Sequence, residues 1–259
     1  MTTPARVAAG LATAVLVAAC APSPQRSGPA EDTAVTGGIT VYAAASLQPT
    51  FTDLGERFEH DHPGTTVTFN FAGSSSLVTQ LTQGAPADVF ASANPENMTK
   101  AVDSGIVSGA PVDFAANTLT IVTAPGNPEG IQQFSDLADP DLQVVVCAPQ
   151  VPCGAATETI ERSAAVTLKP VSEESSVTDV LGKVVSGQAD AGLVYVTDAA
   201  DAGDDVTEVP FPQAADAVNV YPIAVLRNSA NPAGAQAFVD LVTGAQGREV
   251  LASAGFAAP

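Results

Sequence analysis

Small hydroxyl residues recur where strand-like runs give way to helical ones: Ser46 after YAAA, Ser74-Ser75-Ser76 after FNFAG, and Ser175-Ser176 ahead of VTDVL. Each is a helix N-cap candidate, because a serine there satisfies an orphaned backbone N–H and stabilises by about 1 kcal/mol. Taken together they support a second chemistry. At the carboxyl edge of an open parallel sheet the following helices begin side by side. Their free N–H groups and dipoles present roughly half a positive charge each to an anion. Donors of this kind hold an anion without lysine or arginine. That suits a chain with 9 basic and 28 acidic residues and a net charge of −19, whose distant acidic surface is screened over about 8 Å at physiological salt.

Other chemistries find little support. A serine nucleophile needs a neighbouring base, yet the two histidines, His60 and His62, lie in EHDHPG at the far end of the helix that Ser46 opens. Neither GxSxG nor SxxK occurs, so no enzyme is expected, and no cofactor or metal centre. The acidic stretch DAADAGDDVTE, residues 198–208, lacks calcium-loop spacing and reads as a solvated loop. The charge balance removes the electrostatic footprint of a nucleic-acid binder. Cys147 and Cys153, in CAPQVPC, read as a disulfide in an oxidising compartment; zinc is the rival and would need further ligands.

These residues need elements to position them. Residues 39–44 read as a strand, followed by a helix with Leu47, Phe51, Leu54 and Phe58 on one face. Residues 66–71 alternate as a strand, a helix carries Leu77 and Leu81, residues 87–92 form a strand, and Pro95 opens a helix ending near Gly105. A second series has strands at 119–125, 142–148 and 191–196, with a helix or turn at 134–137 and helices at 155–165 and 177–186. A strand at 221–226 and a helical stretch at 232–254 close the chain. This rhythm predicts parallel sheets covered by helices, and 259 residues accommodate two lobes of about 100 to 150 residues each.

The first 19 residues read as an export signal, with Arg6 as the single charge, an apolar run over 7–17 and small residues Ala18 and Ala19. Val17-Ala18-Ala19-Cys20 resembles the bacterial lipobox, in which the cysteine is acylated. Residues 20–38, rich in Pro, Gly, Ser and Thr, read as a lipidated flexible tether. No later apolar run approaches the roughly 20 residues that cross a bilayer, so the expected attachment is a lipid anchor on the outer face of the cell membrane.

In their order, YAAASL, FAGSSSLVTQ, GAPADVFASA, VPCGAA, SSVTDVLGKVVSGQADAGLVY and YPIAVL resemble the successive signatures of bacterial periplasmic molybdate-binding proteins over residues 38–259. Those proteins are the substrate-capture subunits of molybdate ABC importers. The resemblance implies an α/β, two-lobed, type II periplasmic-binding-protein fold. Each lobe would be a mainly parallel sheet flanked by helices, with the ligand in the cleft. Lobe I would comprise residues 39–117 plus 221–259, and lobe II residues 118–220. It further implies a monomer that binds molybdate or tungstate and delivers it to a membrane permease.

Carried over position by position, the resemblance assigns the oxyanion to the hydroxyl and backbone of Ser46 and of Ser74, to the hydroxyl of Tyr195 and to the backbone N–H groups of Cys153 and Val177. Position 153 usually holds alanine in the family, and a one-residue slip would replace Ser74 by Ser75. A proton-free tetrahedral dianion only accepts hydrogen bonds, so donors alone suit it. Protonated phosphate would also want an acceptor. The nearest carboxylates, Asp88 and Asp179, read as bonded in a strand and as dipole-favoured in a first helical turn. Sulfate stays the alternative, since it differs from molybdate mainly in size. Tyr42 and Tyr221 read as core.

Overall fold

The computed structural model describes residues 1–5 and 35–259. The export signal, Cys20 and the tether up to residue 34 lie outside the described residues or, for 1–5, form no element. The chain then builds two five-stranded sheets in sequence.

The first sheet contains β1 (Gly37–Ala44), β2 (Thr65–Ala72), β3 (Val89–Ala91), β4 (Val107–Asn117) and β10 (Asn219–Leu226), in the order β2-β1-β3-β10-β4. Four strands run one way and β10 runs against them. β1 is apolar on both faces because both are covered. Leu47, Phe51, Leu54 and Phe58, before and along α1 (Gln48–Asp61), pack with Phe238 of α7 (Pro232–Thr243) on one side. Leu77 and Leu81 of α2 (Ser74–Thr82) and Met98 of α3 (Pro95–Asp103) cover the other. Phe238 meets Phe51 and Phe58 edge-on at 5.9 and 5.6 Å, a favoured aromatic geometry. Each such side chain stabilises by about 1.5 to 3 kcal/mol through burial.

The second sheet holds β5 (Leu119–Thr123), β6 (Val144–Cys147), β7 (Ser172–Glu174), β8 (Ala191–Tyr195) and β9 (Thr207–Val209), in the order β7-β6-β8-β5-β9. Here β5 is the strand that runs against the others. Helices α4 (Pro152–Ala164), α5 (Val177–Val185) and α6 (Val196–Ala202) follow β6, β7 and β8. Ile160, Val180 and Val184 pack on Val145 and Leu193 to make its core. Only Thr118 separates β4 from β5, and β10 returns the chain to the first sheet. Asn117 Nδ2 donates to Thr197 Oγ1 at 2.8 Å, and Asn219 Nδ2 to the Ala93 carbonyl at 2.8 Å, so both crossings are tied by buried amides.

Several local expectations are corrected. β1 opens at Gly37, where the tether was expected to persist to residue 38; the Gly37 N–H donates to the Gly64 carbonyl at 2.9 Å. The stretch 198–208 is not a solvated loop: it contains most of α6, a 3-10 turn and the start of β9, and Asp198 is buried. Its acidic composition conceals an N3 position, at which a carboxylate satisfies a helix-start N–H. The helix expected from residue 155 starts at Pro152, where a proline loses no helical hydrogen bond. The C-terminal stretch is two helices, α7 and α8 (Ala245–Ser253), divided at Gly244. β4 was not anticipated; its apolar residues gather at one end and Pro111 interrupts it.

Candidate functional site

Three parallel strands in each sheet, β1, β2 and β3 in the first and β6, β7 and β8 in the second, end at junctions that converge on one cavity. In the first sheet the strand ends lie level, with Ala44 paired to Ala72 and Ala43 to Ala91. The cavity is small, and every residue that lines it is buried. Its walls carry Ser46, Ser74, Cys153, Val177 and Tyr195 together, and the remaining lining residues are alanine, glycine, valine and proline. No lining residue is charged. All five positions expected from the sequence are thus brought together. Ser75, the one-residue alternative, does not line the cavity.

The cap reading fails for two of the serines. Ser46 lies in a 3-10 turn, Ala45–Leu47, without a side-chain cap bond, and α2 is preceded by Gly73, also without one. Ser176 does cap α5, accepting from the Asp179 N–H at 3.1 Å. The Ser74 hydroxyl instead accepts from the Ala93 N–H at 3.0 Å, and Ser46 Oγ lies 3.0 Å from the Tyr221 hydroxyl. Tyr221 is therefore more than the core residue its strand suggests. The first residues of a helix have no intrahelical acceptor for their N–H groups. Ser74 and Val177 are the first residues of α2 and α5, and Cys153 is the second of α4. The cavity therefore faces helix N-termini.

Tyr195 sits at the end of β8 and is 1% exposed. Its hydroxyl is the one buried side-chain polar atom among the described residues that has no hydrogen-bond partner. An unpaired buried hydroxyl costs about 1 to 3 kcal/mol, and the cavity that Tyr195 lines is where a partner could satisfy it. Burial and the neighbouring Tyr221 and Asp198 push the Tyr195 phenol well above its ordinary range, and burial pushes Tyr221 upward as well. Both hydroxyls keep their protons and remain donors.

The disulfide is formed: Cys147, the last residue of β6, bonds Cys153 across a Cα–Cα distance of 5.6 Å. It ties the loop that opens α4 to the strand before it. Asp88 and Asp179 face elsewhere. Asp88 accepts from the Thr40 N–H at 2.7 Å and from Ser229 Oγ at 2.6 Å, and Asp179 from Ser175 Oγ at 2.8 Å. The carboxylate missed by sequence reasoning is Asp198, which follows Tyr195 by three residues and accepts from the Tyr195 N–H at 3.1 Å. Burial, aided by Asp201, raises it from 3.8 to about 7, against the lowering effect of that N–H. A larger open groove shares Ser46 but has Asp198 and Asp201 on its wall, the wrong sign for an anion. Among the described residues no group of three or more His, Cys, Asp or Glu could hold a metal ion.

The arrangement supplies hydrogen-bond donors and no charge, in walls made of buried residues. The sequence profile of the bacterial extracellular solute-binding proteins matches residues 39–257. A molybdate-binding protein, ModA, of Mycobacterium tuberculosis is 54% identical over 253 residues, covering 96% of this chain and 97% of that one. Among solved structures, the periplasmic molybdate-binding protein of Azotobacter vinelandii superimposes with a TM-score of 0.75 at 23% identity, covering 85% of this chain and 99% of that one. The sulfate-binding protein SubI of Mycobacterium tuberculosis gives a TM-score of 0.73 at 20% identity, covering 85% and 86%. At these identities the two structures speak to the fold.

Proposed function

This chain belongs to the bacterial extracellular solute-binding proteins, and from that premise we propose that it captures molybdate, and tungstate with it, outside the cytoplasm and hands it to an ABC importer permease. The observation that carries the reading is the Tyr195 hydroxyl, buried and unpartnered in a cavity whose other polar side chains are Ser46 and Ser74. The two serines, Tyr195 and the N–H groups of Cys153 and Val177 would each donate to one oxyanion. A dianion without protons satisfies such a site completely, whereas a protonated ion leaves its own O–H without an acceptor. The 54% identity to a molybdate-binding protein over nearly the whole chain favours molybdate over sulfate.

The ligand would sit between the sheets, with residues 39–117 and 219–259 forming one lobe and 118–218 the other, since β10 begins at Asn219 and not at residue 221, and hinge motion at the crossings near Thr118 and residues 217–218 would open and bury it. The permease would recognise the closed form of a monomer held at the membrane by a lipid on Cys20.

Calorimetric titration of the protein lacking residues 1–33 with molybdate, tungstate, sulfate and phosphate tests the reading. Tight one-to-one molybdate binding that survives excess sulfate is expected. Sulfate displacing molybdate at comparable concentration would reassign the ligand, and no binding by any of the four would overturn the oxyanion reading.

A further inference from the structure

We propose that Tyr221 is a positioning residue that holds Ser46 as a hydrogen-bond donor toward the cavity, so that the site rejects oxyanions carrying a proton; this rests on the oxyanion reading above. Tyr221 lies on β10, fully buried, with its hydroxyl 3.0 Å from Ser46 Oγ. Its ring cannot swing away: Phe256, Tyr195 and Phe114 pack edge-on against it at 5.5, 5.9 and 6.3 Å. Geometry alone leaves open which hydroxyl donates, and the surroundings decide it.

Among the described residues the Tyr221 hydroxyl has one hydrogen-bond partner, Ser46 Oγ. Tyr221 is fully buried, so a phenol proton turned away from Ser46 would be left without an acceptor, at a cost of about 1 to 3 kcal/mol. Ser46 lines the cavity, where a bound oxyanion can accept its proton. With the cavity filled, both protons are paired when Tyr221 places its own on Ser46 Oγ. Ser46 then holds a bond as acceptor on the protein side, and its proton is left for the cavity. Ser74 is arranged the same way by a different donor, the Ala93 N–H at 3.0 Å. Two serines that each accept from the protein and donate inward present O–H hydrogens to the ligand. Against a protonated ligand oxygen that sets hydrogen against hydrogen, and mismatches of this kind in buried sites discriminate strongly.

The test compares the unsubstituted protein with Tyr221→Phe, Ser46→Ala and the double variant. Each is titrated with molybdate and with inorganic phosphate at mildly alkaline pH, where both are mainly dianions and only phosphate carries a proton. In Tyr221→Phe the Ser46 hydroxyl is free to rotate and accept. Molybdate should weaken by about threefold to tenfold while the molybdate-to-phosphate affinity ratio falls by about tenfold or more. In the Ser46→Ala background, Tyr221→Phe should leave the ratio unchanged. Thermal midpoints without ligand separate a general loss of structure from this effect. A folded Tyr221→Phe protein with an unchanged ratio, or an equal shift with and without Ser46, overturns the proposal. Failure of the unsubstituted protein to bind molybdate overturns the underlying reading instead. Should the substituted chain not fold, a neutron structure of the unsubstituted protein decides the point: deuterium bonded to the Tyr221 oxygen on the Tyr221–Ser46 axis supports the proposal, and deuterium bonded to Ser46 Oγ on that axis overturns it.

Discussion

Gly73 and Ser175 meet backbone to backbone: a Cβ placed on Gly73 would fall 2.1 Å from the Ser175 carbonyl oxygen. Gly73 belongs to the β2–α2 junction of the first sheet and Ser175 to the β7–α5 junction of the second, so this contact joins the two walls of the cavity. The Gly73 backbone, at φ −60° and ψ 137°, is open to any residue, and only Ser175 forbids a side chain. Gly73→Ala should therefore hold the walls apart without harming either. The ligand-free thermal midpoint should move by no more than about 2 °C, while molybdate affinity falls about tenfold or more as closure is blocked. Solution scattering should show the contraction on adding molybdate in the parent protein and not in the variant. Undiminished affinity would mean that this contact is not needed for capture.

Tyr195→Phe separates binding from stability. The lost hydroxyl has no protein partner, so its removal takes no internal hydrogen bond from the ligand-free protein, and the thermal midpoint should stay level or rise slightly. With molybdate present one buried donor is missing, and affinity should fall by about 1 to 3 kcal/mol, roughly fivefold to somewhat over a hundredfold. Equal affinity in the two proteins would remove Tyr195 from the site.

The serine junctions were legible because YAAAS and FAGS each carry a strand, a small residue and a helix start. The places of Cys153, Val177 and Tyr195 came from the resemblance of VPCGAA, SSVTDVL and AGLVY to the family's signatures, because no local pattern marks a backbone N–H or a strand-end tyrosine as facing a ligand. The order of the two sheets follows from the same alternation of strand and helix. What stayed hidden depends on distance or on composition. Tyr221 meets Ser46 across 175 positions of sequence, and nothing in YPIAVL distinguishes a tyrosine packed as bulk from one whose hydroxyl is spent on a partner. Asp198 sits among acids that read as solvated, and only the end of β8 explains its burial. Serine as helix cap and serine as ligand donor look alike in sequence. The partners of Ser74 and Ser176, an N–H from another strand's junction and an N–H of its own helix, tell them apart.

The Cys147–Cys153 bridge lies in the frame of the site, because Cys153 is also a proposed backbone donor. Closing so short a loop stabilises by about 2 kcal/mol in the chain-entropy picture. Replacing both cysteines by alanine should lower the thermal midpoint by several degrees and loosen the start of α4. Molybdate should then dissociate faster, with its association rate little changed. A double variant with parental dissociation kinetics would confine the bridge to stability, and an intact mass showing two free thiols in the native protein would remove it altogether.

Asp198 links the site to pH. Its folded value of about 7 lies above the ordinary 3.8, so between these values the folded protein holds a proton that the unfolded chain has released. Stability from this group is complete below about pH 4, declines as pH rises toward 7, and is level above. A displacement of this size corresponds to a few kcal/mol. Asp198→Asn keeps an oxygen for the Tyr195 N–H and removes the titration. By chemical denaturation the variant should be more stable than the parent at about pH 8, with the gap closing as the pH falls toward 4. The same carboxylate bears on the hydroxyls of Tyr195 and Tyr221, so its negative form opposes a dianion in the cavity. The substitution should therefore tighten molybdate binding at about pH 8 and leave it nearly unchanged at about pH 5, where the parent carboxyl is already neutral. A stability gap that stays constant across this range would assign the titration to another group. A gap that closes as expected while molybdate affinity stays equal at both pH values would show that the charge of Asp198 does not reach the ligand.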